Sequence, residues 1–182
     1  MSYRMFPNAK HLVNRLGDTA IGAWLSAART WLLPPLCLLC GAAGSDGRDL
    51  CAACSADLPP NDRACSGCAL PLAASRTGPC GTCLTRPRAF DRAFAPFRYR
   101  PPLDRLIHGL KFDGRLSHAR LLGDLFADRL AARGAPWPDC IIPVPLHPLR
   151  LRERGFNQAL ELARASARRL RIPLAREGLR RI

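Results

Sequence analysis

Lysine is almost missing from this chain: Lys10 and Lys111 are the only two among 28 basic residues. Its cationic chemistry is therefore that of arginine, a planar fork of donors that matches phosphate oxygens. Long apolar runs are missing too. The most apolar early stretch, residues 20–36, is flanked or interrupted by Asp18 and Arg29, which makes it too short and too charged for a membrane span. No small-residue cleavage site follows it before Cys37, so it does not read as an export signal. Trp24, Leu25, Ala28, Trp31 and Leu32 recur at helical spacing instead. They predict an amphipathic helix as the first segment, residues 1–35, stopped by Pro34 and Pro35. Aromatics are sparse at the far end, where Phe156 is the only one after Trp137. That argues against a base-stacking platform in the last segment.

Cysteine is plentiful but not scattered. Eight of the nine cysteines form four CxxC pairs: Cys37/Cys40, Cys51/Cys54, Cys65/Cys68 and Cys80/Cys83. A CxxC turn points two thiolates into one small volume, and two such turns supply the four ligands of a tetrahedral Zn²⁺ site. Ten residues separate the first two pairs and eleven the last two. The near-equal spacing predicts two consecutive four-cysteine zinc sites, although spacing alone leaves a crossed pairing open. Such spacing differs from a secreted disulfide framework and points to a reducing, cytoplasmic setting. Residues 36–86 are rich in Gly, Pro, Ser and Ala, so metal would have to supply their stability. Gly41 follows Cys40 where the knuckle turns tightly; Ala69 holds the matching place after Cys68.

Formal charge is +14, and half of it lies after Pro148, where ten arginines face three glutamates. This describes either a solvated helix face or a surface for a phosphate-rich ligand or nucleic acid. Phe90, Phe94, Phe97 and Tyr99 are closely spaced aromatics that predict a strand. Pro101-Pro102 then opens a helix carrying Leu103, Leu106, Ile107 and Leu110 at helical spacing, and a second helix is expected over residues 117–132. The apolar, proline-bounded run 139–145 has the pattern of a buried parallel strand ending in a loop. Cys140 on it reads as a small buried apolar residue or, less simply, a reactive thiol. Residues 158–170 are strongly helical. Helix, buried strand, helix is half of an open α/β sheet.

These residues resemble the ComF-type family of competence-associated, phosphoribosyltransferase-like proteins. The resemblance runs from about residue 33 to the end. It rests on the four CxxC units, Phe97-Arg98-Tyr99, Leu110-Lys111-Phe112-Asp113, and Ile142-Pro143-Val144-Pro145-Leu146-His147 followed by Arg154-Gly155-Phe156-Asn157-Gln158. It implies an α/β fold class: an N-terminal helix, a double zinc ribbon over residues 36–86, and an incomplete type I phosphoribosyltransferase-like domain over residues 87–182, an open parallel sheet with flanking helices. In such a sheet ligands bind beyond the carboxyl ends of the strands. The resemblance puts the loop Pro145-Leu146-His147 where type I enzymes cradle pyrophosphate on backbone N–H groups. Arg150, Arg152 and Arg154 would neutralise that group, Asn157 and Gln158 would reach ribose or phosphate oxygens, and Lys111 would add a point charge. Each has a plain alternative as an exposed turn or helix-end residue, His147 and Lys111 especially. Mg²⁺ would enter only with phosphoribosyl pyrophosphate.

The family's second signature is a strand, an adjacent acidic pair for the ribose hydroxyls and a Thr/Gly-rich loop. It has no counterpart here, for no two acidic residues are adjacent anywhere. The expectation is a chain that ends within the phosphoribosyltransferase-like domain and holds half a substrate site. Three functional classes follow. The chain is a phosphoribosyltransferase-type protein of DNA uptake that binds phosphoribosyl pyrophosphate or pyrophosphate without turnover; or a non-enzymatic module binding single-stranded DNA; or a zinc adaptor docking a competence helicase.

Overall fold

The computed structural model describes residues 34–179 apart from 87, 135 and 177. The amphipathic helix expected ahead of Pro34 lies outside the described residues.

The cysteine region folds as two similar ribbons, one after the other. In the first knuckle the Cys37 N–H donates to the Ala42 carbonyl at 2.7 Å and the Gly41 N–H to the Cys37 carbonyl at 2.8 Å. Leu36 and Ala43 form an antiparallel bridge beside it. Helix α1 (Ala52–Ala56) follows, with Cys51 as its N-cap. The second knuckle repeats this: Cys65 N–H to Leu70 at 2.8 Å, Ala69 N–H to Cys65 at 3.0 Å, and a bridge between Ala64 and Pro71. Helix α2 (Gly81–Thr85) follows, N-capped by Cys80. The turn residue lies in the left-handed region in both knuckles, Gly41 at φ 78° and Ala69 at φ 59°. Glycine adopts that conformation freely; alanine does so at a cost of about 1 kcal/mol.

Beyond the ribbons come α3 (Leu103–Lys111), α4 (Leu116–Ala131), α5 (Pro148–Arg154) and α6 (Gln158–Leu170). The helices foreseen on either side of residue 115 and the last one all form. Leu103, Leu106 and Leu110 of α3 pack with Ala119, Leu121, Leu122 and Leu125 of α4. Cys37, Leu50 and Leu58 of the first ribbon belong to the same cluster, so that ribbon and these helices share one core. Helix α6 lies along α4 through small residues. A Cβ on Gly123 would come within 2.5 Å of the Ala165 Cβ, and the Ser166 hydroxyl donates to the Gly123 carbonyl at 3.0 Å. Further along, Asp128 pairs with Arg169 at 2.5 Å. Gly123 then Asp128 meet Ala165 then Arg169, so α4 and α6 run in the same direction.

The sheet expected over residues 87–182 is not formed among the described residues. Residues 90–99 make one antiparallel bridge, Phe97 to Pro60, rather than a strand. Their aromatics are used singly: Phe94 stacks on Phe126 with centroids 5.6 Å apart, and Phe97 lies beneath Arg129. The run 139–145 keeps a parallel partner, but only through Ile141 and Leu174. Ile141 donates to Pro173 at 2.8 Å and accepts from Ala175 at 3.0 Å. Pro143 and Pro145 have no N–H to continue a ladder. The run is not buried either: Val144 is 68% exposed and Ile142 43%. Cys140, expected in the core, is exposed for the same reason.

Candidate metal centres and anion site

The two ribbons gather their sulfurs into two sets, Cys37, Cys40, Cys51, Cys54 and Cys65, Cys68, Cys80, Cys83. Within each set every Sγ lies within 4.8 Å of the others. A tetrahedral zinc with Zn–S bonds of about 2.3 Å holds its sulfurs about 3.8 Å apart. Here Cys40 and Cys51 are 3.7 Å apart, Cys68 and Cys80 3.7 Å, and Cys65 and Cys83 3.6 Å. All are free thiols, far beyond the roughly 2.05 Å of a disulfide. The sequential pairing, not the crossed one, is what the fold brings together.

The backbone favours the thiolate of Cys37 in the first set and those of Cys65 and Cys80 in the second, the last through the Cys83 N–H. Burial raises the Cys37 thiol, but N–H groups of Cys51, Cys40 and Leu39 outweigh it and bring the pKa to about 6. The N–H groups of Cys68, Cys80 and Gly67 bring Cys65 to about 5, against burial; the Cys80 N–H lies 3.1 Å from its sulfur. Cys40, Cys54 and Cys83 oppose ionisation. The sulfurs of Cys40 and Cys51 push Cys54 up, and burial with the neighbouring Cys80 pushes Cys83 up to about 12. Four crowded thiols ionise together only around a cation. The donor sets fit two structural zinc ions, each with four protein ligands and no open position for catalysis.

The sequence-derived anion residues gather around the start of α5 and α6, mostly in local structural roles. His147 is the N-cap of α5, its Nδ1 accepting from the Leu149 N–H at 3.3 Å. Arg150 pairs with Glu153 at 2.8 Å. The Arg154 guanidinium lies 5.5 Å above the Phe112 ring. Gly155 ends α5 at φ 75°. Asn157 caps α6, accepting from the Ala159 N–H at 3.0 Å, and its Nδ2 donates to the Val144 carbonyl at 3.1 Å. Pro145 and Leu146 are half-buried between these anchors, and Lys111 is the half-buried last residue of α3. Two motif segments far apart in sequence therefore meet: Arg154 covers Phe112, and the Phe156 ring lies 3.9 Å from where a Gly114 Cβ would be. Arg152 is exposed and makes no ion pair among the described residues.

Sequence reasoning missed two features. Arg129 and Arg133, one turn apart on and just beyond α4, stack over Phe97 and Phe94 at 5.3 and 4.7 Å. With Asn61 they line a cavity of about 410 Å³. Arg88 rests against Gly67 inside the second knuckle. The only trace of the latter in the sequence is the 28-residue offset between knuckles, which sets Gly67 against Leu39.

Residues 28–84 match the double zinc ribbon domain family. The chain is 37% identical over 156 residues to the DNA utilization protein YhgH of Escherichia coli O157:H7, covering 82% of this chain and 67% of that protein. It is 40% identical over 134 residues to the Shigella flexneri protein of the same name, covering 70% and 58%. The competence protein F of Haemophilus influenzae is 34% identical over 107 residues, covering 57% and 47%. The chain thus spans between about half and two thirds of the length of these relatives. No solved structure matches it, and no helix among the described residues is long and apolar enough to cross a membrane. Its identity to the first relative over two thirds of that protein, with the double ribbon, shows that the chain belongs to the competence protein F family, which includes the DNA utilization protein YhgH.

Proposed function

We propose that this chain serves in DNA uptake or utilisation, the role its relatives' names state for them, and that the turn at Pro145–His147 with Arg154 binds pyrophosphate or phosphoribosyl pyrophosphate. The observation that supports this reading best is the convergence of the Leu110–Asp113 segment on the Arg154–Gln158 segment, through Arg154 over Phe112. Asn157 ties the same place to the Val144 carbonyl, which steadies the turn for an anion. Arg154 supplies charge, and its ring contact limits the freedom it would lose on binding. Mg²⁺ would arrive with phosphoribosyl pyrophosphate, not as a resident ion.

Turnover is not expected from this chain. No adjacent acidic pair is present to hold the ribose hydroxyls, so the anomeric carbon is left unpositioned. Positioning contributes on the order of 7–11 kcal/mol in favourable cases, enough that its loss abolishes the reaction. Titration calorimetry with pyrophosphate tests the reading. Binding that weakens about tenfold or more in Arg154→Ala, with no pyrophosphate released from phosphoribosyl pyrophosphate above a Mg²⁺ blank, supports it. Equal binding by Arg154→Ala overturns the site, and release above the blank overturns the claim of inactivity.

A second reading is favoured by the exposed arginines at the end of α6 and after it, Arg168, Arg171 and Arg176. They suit sequence-tolerant binding of single-stranded DNA, whose affinity would fall steeply with salt. A flat salt response would remove that face from the argument. Docking to a helicase is a third possibility that rests on the family resemblance alone.

A further inference from the structure

The two metal centres differ in what lies over them. In the first knuckle the two residues between the cysteines are Leu38 and Leu39, both packed on the shared core. In the second they are Ser66 and Gly67. Gly67 is buried, and a Cβ built on it would lie 1.9 Å from Nη1, 2.0 Å from Nη2 and 2.2 Å from Cζ of Arg88. The guanidinium therefore occupies the space a side chain at position 67 would fill. The Arg88 side chain also passes the Phe90 ring, with Cζ 5.5 Å from its centroid, and shares a cavity wall with Cys68, Cys80 and Cys83.

Arg88 Nη1 is buried without a hydrogen-bond partner, and Arg88 has no ion pair among the described residues. The Arg88 side chain is half-buried, and a buried N–H of a charged group left without a partner is disfavoured. Four thiolates around one Zn²⁺ carry a net charge of −2, and that charge lies on the knuckle Arg88 covers. We propose that Arg88 is the charge-balancing residue of the second zinc centre, so that zinc retention there depends on one guanidinium held in place by the missing side chain of Gly67. The first centre, roofed by leucines, has no such dependence. Arg88 acts through the ligands and is a positioning residue rather than a ligand.

The proposal rests on the reading of both clusters as zinc sites, and the experiment separates the two. Zinc affinity of the full chain is measured by chelator competition, and alkylation followed by mass spectrometry identifies which four cysteines lose their metal. Arg88→Gln is expected to weaken the second centre about 10–100-fold, the range for an outer-shell partner, while the first stays at its wild-type affinity. Arg88→Lys, which keeps the charge, should restore most of the loss. Gly67→Ala keeps Arg88 but displaces its guanidinium. Gly67 does not lie in the left-handed region, so the backbone accepts the change, and the second centre should again weaken alone. This variant serves if Arg88→Gln fails to fold. Unchanged affinity of the second centre in Gly67→Ala and Arg88→Gln, or an equal loss at both centres, overturns the proposal. A wild-type chain that holds no zinc overturns the cluster reading itself.

Discussion

Loss of the first zinc centre should melt the helices, whereas loss of the second should not. Cys40→Ser is the cleanest perturbation, because Cys40 is exposed while Cys37 is 3% exposed and would also leave a packing defect. Removing one ligand releases the metal that orders the first ribbon, and that ribbon carries Leu50 and Leu58 into the core at 3% and 4% exposure. A fully buried leucine contributes about 1.5–3 kcal/mol, so the two together supply about 3–6 kcal/mol to the packing of α3 and α4. Two ion pairs tie the ribbon to α4 as well, Arg48 to Asp128 at 2.5 Å and Asp49 to Arg120, but exposed pairs add about 1 kcal/mol at most. A domain of this size has about 5–15 kcal/mol in total. The loss is therefore comparable with the whole. Cys68→Ser removes a centre whose cysteines are not in that cluster, so the helical signal should survive. Circular dichroism melts with parallel zinc analysis decide the matter. One zinc lost in each variant, with helicity lost only in Cys40→Ser, is the expected pattern. Cys40→Ser melting at the wild-type temperature, or equal damage from Cys68→Ser, would refute the shared-core argument.

Ala69→Gly should stabilise the protein by about 1 kcal/mol, since it removes a left-handed alanine; a lower melting temperature would mean the alanine methyl contributes more packing than the turn costs. Gly123→Ala should destabilise by about 1–3 kcal/mol, because the new Cβ meets the Ala165 Cβ at 2.5 Å and the Leu162 carbonyl oxygen at 2.7 Å; denaturant unfolding of the zinc-loaded chain measures it. Burial raises the Asp124 pKa above its ordinary value of 3.8, against the opposing charges of Arg169 and Arg48. A raised carboxylate favours its protonated form in the folded state, a contribution present in full below 3.8 and lost as pH rises through the folded value. Asp124→Asn should accordingly raise the melting temperature at neutral pH and lose that advantage in acid; an advantage independent of pH would contradict this.

How far the sequence could be read varied with the range of the interactions. The zinc sets were readable because each ligand pair is a local turn, and the only longer-range choice, sequential or crossed pairing, followed the shorter loops. Helices α3 and α4 were readable from leucine spacing, since a 3.6-residue period reports the buried stripe without naming what covers it. The shared core was not. Leu50 and Leu58 sit in a segment too poor in large apolar residues to suggest a core, and nothing local says that α3 and α4 would receive them. Arg88 was hidden for a related reason. Its position is set by a side chain that Gly67 lacks, and a loop glycine ordinarily signals only a turn.

The strand over residues 139–145 shows where pattern reading stops. Isoleucine and valine between prolines suit a buried parallel strand, but burial requires neighbours on both sides, and those come from distant sequence. Among the described residues the one neighbour is Leu174, and Pro143 and Pro145 cannot donate to a second rung. The same constraint explains the turn that follows. His147 and Asn157, picked out as possible ligands, cap α5 and α6, and Asn157 also holds the Val144 carbonyl. Residues that fix a turn so tightly have little side-chain capacity left for an anion. If the turn binds phosphate, the charge must come chiefly from Arg154. A histidine variant at the α5 cap should then disturb helix stability more than pyrophosphate affinity. His147→Ala losing affinity as severely as Arg154→Ala would return His147 to the role of ligand.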